Sequence, residues 1–430
     1  MADEEPLLPP GERQKMGNKN GMKTPPLPRL PLPPPPSSWR IGAAFWCDHA
    51  HSRGHAPLSP APRRILGLCN NLPYVVMLSA ARDLLEPRPG EERRNRSRYD
   101  CDPVGTGAVL LADVVPGLVV KLLLPLVGPY LPDRLRVVAV ALCLWGSVGA
   151  VAAARGTLSG LGGVALGSAG AGLGEVTFLT LASSYPSGSG LSHWSSGTGA
   201  AGLGGALGFW GLRVWLPLPH ALLPFLALPP LMLLSFFFLL GPAPPPRPDP
   251  PLPHPDEGGG AREEKWGVAK AAFCQGAPLA LVYFAEYFVN QGLMELLYFP
   301  SSPLPHSAQY RTLQLLYQAG VFASRSSLRC LRLRRLWALA LAQVLLASFL
   351  LAAVAVNHLL PGLGVAAALA LGEGLVGGGA YGNAFSNLGE QVPLPRRPLA
   401  IAVVTLGAEV AIAAAGAAGM GAHAAFCGRE

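Results

Sequence analysis

Charge is scarce in this chain. Of its 430 residues only 13% are Asp, Glu, Lys or Arg, about half of the ~25% usual in soluble domains. Half are hydrophobic, and the mean hydropathy is +0.35. That balance excludes a soluble protein with one large core. Long apolar runs recur from about residue 65 onward, each near the ~20 residues a spanning helix needs. Cysteine is also sparse. Cys47, Cys69, Cys101, Cys143, Cys274, Cys330 and Cys427 contain no C-x-x-C pair. Neither a zinc site nor a disulfide framework is indicated, and core packing is the role expected of most. No metal cluster, no Ser/His/Asp set and no phosphate loop stands out, since "GLGEVTF" at 172–178 follows no strand. No cofactor and no enzyme activity are expected. The net charge of +8 lies in short clusters between apolar runs. That is the pattern of cytosolic loops, not of a nucleic-acid partner.

What is present is an all-α polytopic membrane protein. The expected spans are 65–82, 104–126, 135–154, 158–183, 193–216, 219–241, 269–293, 308–326, 336–358, 361–388 and 399–425. Span eight is semi-polar, and six spans remain an alternative if several weak segments lie in the interface. Residues 1–40 are polar and proline-rich and read as a disordered cytosolic tail. No cleavable signal peptide is evident, so the first span serves as internal signal. The basic loops with Arg134 and Arg136, with Arg325 to Arg335, and with Arg396 and Arg397 then all face the cytosol, as positive-inside asks. Residues 84–103 fall on the lumenal side despite five arginines, and they carry the sequon Asn95-Arg96-Ser97, an expected glycosylation site. A Pro/Gly-rich linker, 242–267, divides the chain into halves at 41–241 and 268–426. Six spans and five suggest two pseudo-repeats, with a solute site between them near the midplane.

Under that scheme spans one, four, seven and ten line the cavity. The intramembrane polar residues fall there: Asn70, Asn71 and Tyr74; Glu175 and Thr177; Tyr283, Glu286, Tyr287 and Asn290; Glu373, Tyr381, Asn383 and Asn387. A carboxylate at the bilayer centre costs at least ~2.5–3.5 kcal/mol, so such residues mark function by default. Tyr283, Glu286, Tyr287 and Asn290 recur at i, i+3, i+4 and i+7, one helical face. Glu295 points to the opposite side, and a helix end or a partner on another helix is expected for it. Asp113 and Lys121 in span two need partners on other helices or cap a gate. Glu409 and Arg213 have no assigned role. Gly163-xxx-Gly167, Gly170-xxx-Gly174 and Gly197-xxx-Ala201-xxx-Gly205 read as close helix packing. "GPYLPDRLR" at 128–136 approximates the Asp-Arg loop of major facilitator transporters, one residue out of register.

The segments "LGLCNN", "YVVMLSAA", "VLLAD", "GLGEVTFL", "WSSGTG", "VYFAEYF", "NQGL" and "LYQAGVFASRSSLRC", spread over 66–410, resemble the CLN3 family of lysosomal membrane proteins. The resemblance implies a major-facilitator-like fold in late endosomal and lysosomal membranes. It also implies a role in clearing glycerophosphodiesters and in lysosomal pH and trafficking. On it rest the expected solute, a glycerophosphodiester, and Arg325 as its phosphate contact, since an Arg fork suits that anion. Proton sensing is expected of Glu175, Glu286 and Glu373, because burial disfavours a charged carboxyl. A basic amino acid carrier, a trafficking scaffold and, least supported, an intramembrane lipid enzyme are the rival readings. Three features depart from the family. Residues 47–64 interrupt the first span and read as a gene-model or splicing artefact. The acidic dileucine pattern, a site for sorting adaptors, sits in the tail at Asp3, Leu7 and Leu8 instead of the central loop. The terminal Cys427-Gly428-Arg429-Glu430 fits a prenylation box poorly.

Overall fold

A computed structural model of the chain describes residues 61–86, 99–127, 130–183, 189–240, 260–327, 332–356, 359–392 and 396–428. The tail with Asp3, Leu7 and Leu8, residues 47–60 of the insert, Asn95, and linker residues 242–259 lie outside them. Among the described residues the long helical elements are α1 (Ala61–Ser79), α2 (Gly107–Val127), α3 (Asp133–Ala152), α4 (Thr157–Ser183), α5 (Ser189–Trp215) and α6 (Leu218–Leu239). They continue as α7 (Gly260–Phe288), α8 (His306–Ser327), α9 (Leu336–Ala355), α10 (Leu363–Gln391) and α11 (Arg397–Cys427). Eight of them are long and apolar enough to cross a membrane; α1, α5 and α8 are more polar than that. Two expectations shift. Residues 61–64, read as insert, form the first turn of α1, and residues 260–267, read as linker, form the start of α7. Both stretches are rich in residues that tolerate helix, and neither contains a glycine pair or an interior proline run that would end one.

The packing repeats with a shift of six helices. In the first half α1 packs on α5, and α2 and α3 pack on α4; in the second α7 packs on α11, and α8 and α9 pack on α10. Across the halves α2 meets α11 and α5 meets α8. Each contact maps onto its counterpart under the same shift, which is the signature of two pseudo-repeat halves. Small residues permit the approach. A Cβ at Gly170 would lie 2.6 Å from that of Cys143, and one at Gly374 would strike the Tyr317 carbonyl oxygen at 2.0 Å. Close backbone contact is how helices associate where lipid supplies no hydrophobic drive. The apolar helices α3, α6 and α9 expose Leu142, Phe238, Leu341 and Leu345.

Helix α7 does not run unbroken. After Phe288 it widens into a π-turn, Val289–Leu293, and then tightens into a 3-10 turn, Met294–Leu296. Such a break inside a bundle needs partners for its backbone groups. Gln314 Nε2 donates to the Asn290 carbonyl at 3.1 Å, and Thr106 Oγ1 donates to the Gln291 carbonyl at 2.8 Å. The break carries Glu295 to the bundle end, where it accepts the Thr106 N–H at 2.5 Å and lies 3.1 Å from His423 Nδ1.

The same end is closed by polar bonds between the halves. Asp83 takes the guanidinium of Arg213 at 2.8 Å and also that of Arg311. Arg82 lies 3.4 Å from Asp102 and 3.5 Å from Asp100, and donates to the Glu295 carbonyl at 3.3 Å. Asp100 Oδ2 lies 3.3 Å from His306 Nδ1 and accepts its proton in the tautomer that carries one there. A disulfide joins Cys101 to Cys427, with Cα atoms 6.0 Å apart. This corrects the expectation of unpaired cysteines. A pair separated by 326 residues leaves no local spacing signal. It also removes the free Cys427 thiol that lipidation requires.

Candidate functional site

A polar cluster lies where α7, α8 and α10 converge inside the bundle. Glu286, 2% exposed, accepts the Tyr317 hydroxyl at 2.5 Å through Oε1, and its Oε2 is buried without a hydrogen-bond partner. Gly377 of α10 leaves the room for that carboxyl, since a Cβ there would lie 2.4 Å from it. One turn along α7, Asn290 Nδ2 donates to Glu373 Oε1 at 3.2 Å, and Gln343 of α9 reaches the same oxygen at 3.5 Å. Glu373 is fully buried, and its Oε2 also lacks a partner. Two carboxyls are thus enclosed in one half of the bundle, each with an unsatisfied oxygen, which is costly unless a proton or ligand supplies the missing bond.

Beside them stands an aromatic wall. Tyr283 stacks on Tyr381 with centroids 6.4 Å apart and packs edge-on against Tyr287 at 5.9 Å. Tyr74 of α1 donates its hydroxyl to that of Tyr287 at 3.3 Å, so the first half reaches the wall. Arg325, in the last turn of α8, lies over the Tyr381 ring with its guanidinium carbon 4.2 Å from the centroid. Among the described residues Arg325 forms no ion pair, and its buried Nε has no hydrogen-bond partner. A cation on an aromatic face, within the field of Glu286 yet not bonded to it, is open to an anion.

The structure therefore brings together Tyr283, Glu286, Tyr287, Asn290, Arg325, Glu373 and Tyr381. The hydrogen bonds of four other expected residues place them elsewhere. Asn70 donates to the Ala171 carbonyl of α4 at 3.1 Å, and Asn71 donates back to Gly67 of its own helix at 3.1 Å. Asn387 bonds Gln275 at 3.3 Å, joining α10 to α7. Asn70 and Asn387 thus tie neighbouring helices to one another. Glu175 is ion-paired with Lys121 at 2.6 Å, and Lys121 also holds Glu409 of α11. Lys121 thus finds the partners on other helices that its position demanded. Tyr317 and Gln343 were missed. For Tyr317 a signal existed, because Tyr310, Gln314, Tyr317 and Ser324 recur at helical spacing along one face of α8. For Gln343, alone in an apolar helix, none did.

The profile of the CLN3 protein family matches residues 64–249 and 259–429. Battenin of Canis lupus familiaris is 40% identical, covering 97% of this chain and 98% of its own. Protein BTN1 of Yarrowia lipolytica is 35% identical, covering 81% of this chain and 90% of its own. The chain belongs to the CLN3 family. Among solved structures, a bacterial homologue of the human lysosomal transporter Spinster, inward-facing and unoccupied, superimposes with a TM-score of 0.55. The identity is 16%, over 85% of this chain and 82% of that one. A D-xylose–proton symporter does so with a TM-score of 0.55 at 12% identity, over 84% and 89%. The fold is that of a multi-pass, major-facilitator-like membrane protein.

Proposed function

We propose that this protein is a carrier of small organic anions in the lysosomal and late endosomal membrane, and that glycerophosphodiesters are its solutes. Arg325 carries the reading. Its guanidinium rests on Tyr381 with a buried, unpartnered Nε and no ion pair among the described residues, at the convergence of α7, α8 and α10. A phosphodiester would take the guanidinium edge, and the hydroxyls of Tyr283, Tyr287 and Tyr381 would meet the glycerol groups. Glu286 and Glu373 would carry protons, their unsatisfied oxygens being satisfied when protonated. The carrier fold supports alternating access between the halves. Disulfides form in oxidising compartments, so the end bearing Cys101 and Cys427 belongs in the lumen. The arginine-rich segments belong at the opposite, cytosolic end, in agreement with the positive-inside rule. Lysosomal pH would follow from proton movement with the solute.

The test is flux of radiolabelled glycerophosphoglycerol into proteoliposomes across an imposed pH gradient. Saturable flux is expected, with Arg325→Gln losing at least about tenfold in flux while the protein stays folded. Glu286→Gln should flatten the dependence on the gradient. No flux from folded wild-type protein overturns the reading and leaves a membrane scaffold, with the tail as a site for sorting adaptors. A basic amino acid carrier is favoured by one observation, the two unsatisfied carboxyl oxygens of Glu286 and Glu373, which an ammonium would also satisfy. Radiolabelled lysine in the same vesicles separates the two.

A further inference from the structure

Lys121, Glu175 and Glu409 form an ion-paired trio in which one ammonium serves two carboxylates. Lys121 stands on α2 and Glu175 on α4, both in the first half, whereas Glu409 stands on α11 in the second. The two contacts of the ammonium are therefore unlike. Helices α2 and α4 are locked backbone to backbone, because a Cβ on Gly172 would lie 2.6 Å from the Gly117 carbonyl oxygen, and Ser168 Oγ accepts the Gly117 N–H at 2.9 Å. Lys121 and Glu175 must move together. Lys121 and Glu409 cannot stay together if the halves rock, since their helices belong to opposite halves.

The trio is not sealed. The side chains of Lys121, Glu175 and Glu409 are 17%, 25% and 14% exposed. With all three groups ionised it has one carboxylate in excess, and Glu409 Oε2 is buried without a hydrogen-bond partner. It also adjoins the candidate site. The Tyr381 ring that carries Arg325 lies within electrostatic reach of Lys121 and Glu175, and Tyr74 lies within reach of Glu409 and Asp113. Charges of both halves thus act on the Tyr381 ring. Arg325 is open, and Lys121 is held by carboxylates.

We infer that Lys121 is the first half's contact for the solute anion, and that Glu409 is an internal stand-in which occupies it until a phosphate or carboxylate of the solute displaces it. The proposal rests on the carrier reading above. In the empty protein Glu409 closes the two halves on each other through Lys121. An anion entering the site takes the lysine from Glu409 while Glu175 keeps the ammonium in position. The cross-half bond then opens, and Arg325 and Lys121 grip the solute from opposite halves. Solute binding and release of the halves become one exchange of partners, in which Lys121 keeps two anionic partners throughout and the freed Glu409 takes up a proton. Truncating a partner of a desolvated charge pair costs a large share of binding, so the two ends of this exchange are separable by mutation.

The experiment measures KM and maximal flux for radiolabelled glycerophosphoglycerol in proteoliposomes of the full chain. Lys121→Gln should raise KM at least about tenfold, and Lys121→Arg should recover most of it. Glu409→Gln should move KM the other way, lowering it several-fold, because the competitor is gone. A merely structural ion pair would lower thermal stability in Lys121→Gln and Glu409→Gln alike and leave KM unmoved in both. Equal KM values in wild type and in folded Lys121→Gln overturn the inference while the carrier reading stands. A rise in KM in Glu409→Gln also overturns it. Absence of flux from folded wild-type protein overturns both.

Discussion

At the disulfide-bearing end of the bundle Asp102 and His306 should impose opposite pH dependences on stability. Asp102 lies in the segment before α2 and His306 at the very start of α8, both outside the expected spans. Burial pushes the Asp102 carboxyl up from 3.8 to about 6, against the pull of Arg82 at 3.4 Å. Burial pushes the His306 imidazole down from 6.5 to about 4, against the bond to Asp100. For Asp102 the folded protein holds the proton more tightly than the unfolded chain, so stability rises as pH falls through 6 and levels off below the unfolded value. For His306 the unfolded chain takes the proton first, so stability is lost as pH falls from 6.5 toward 4. Between pH 7 and pH 5 linkage gives about +1.4 kcal/mol from Asp102 and about −1.8 kcal/mol from His306. The two nearly cancel, so wild-type stability at this end should change little between pH 7 and pH 5. The assay is thermal unfolding in detergent at pH 7 and pH 5. Asp102→Asn should become less stable on acidification than wild type, and His306→Gln more stable. Shifts of the same sign in the two variants, or none in either, would refute the reasoning.

Two further predictions concern what holds the bundle together. With a protease site placed within residues 242–259 and cleaved, the two halves should run as one band on a non-reducing denaturing gel and as two after reduction. Cys101→Ser should give two bands in both cases, and should cost about 2–4 kcal/mol of stability; two bands without reductant in the parent refutes the pairing. Gly174→Ala places a Cβ 2.0 Å from Asn70 Oδ1 and should destabilise by about 1–3 kcal/mol. Asn70→Ala in the same chain should relieve most of that, and simple additivity of the two losses in a double-mutant cycle would show that they do not meet.

What was legible in the sequence was what a single helix can encode. The expected spans match α1 to α11 to within a few residues, apart from the earlier starts of α1 and α7, but only eight of these helices are apolar enough to cross a membrane. The i, i+3, i+4, i+7 spacing on α7 found Tyr283, Glu286, Tyr287 and Asn290, and the glycine spacings of α4 read as close helix packing, with the partner, α3 at Gly163, Gly167 and Gly170, left to the structure. What was illegible depends on a second helix. The break at Val289–Leu293 survives because Gln314 and Thr106 satisfy its carbonyls, and neither is near it in the chain. Without those donors the same residues would have continued as ordinary helix, which is how they read. Asn70 looked like a cavity residue because an amide in an apolar run has two uses, and only the backbone of Ala171 decides for packing. Lys121 and Glu409 are 288 residues apart, and Cys101 and Cys427 are 326 apart. Lys121 and Glu409 were visible as anomalies, charges with no local explanation, whereas the cysteines read as core packing. The pseudo-repeat connects these cases. A chain that folds as two similar halves must place the residues that join them at large separations, so the joints are the last features that a local pattern can reveal. In a carrier the non-covalent joints, Lys121 with Glu409 among them, are also the parts that must open.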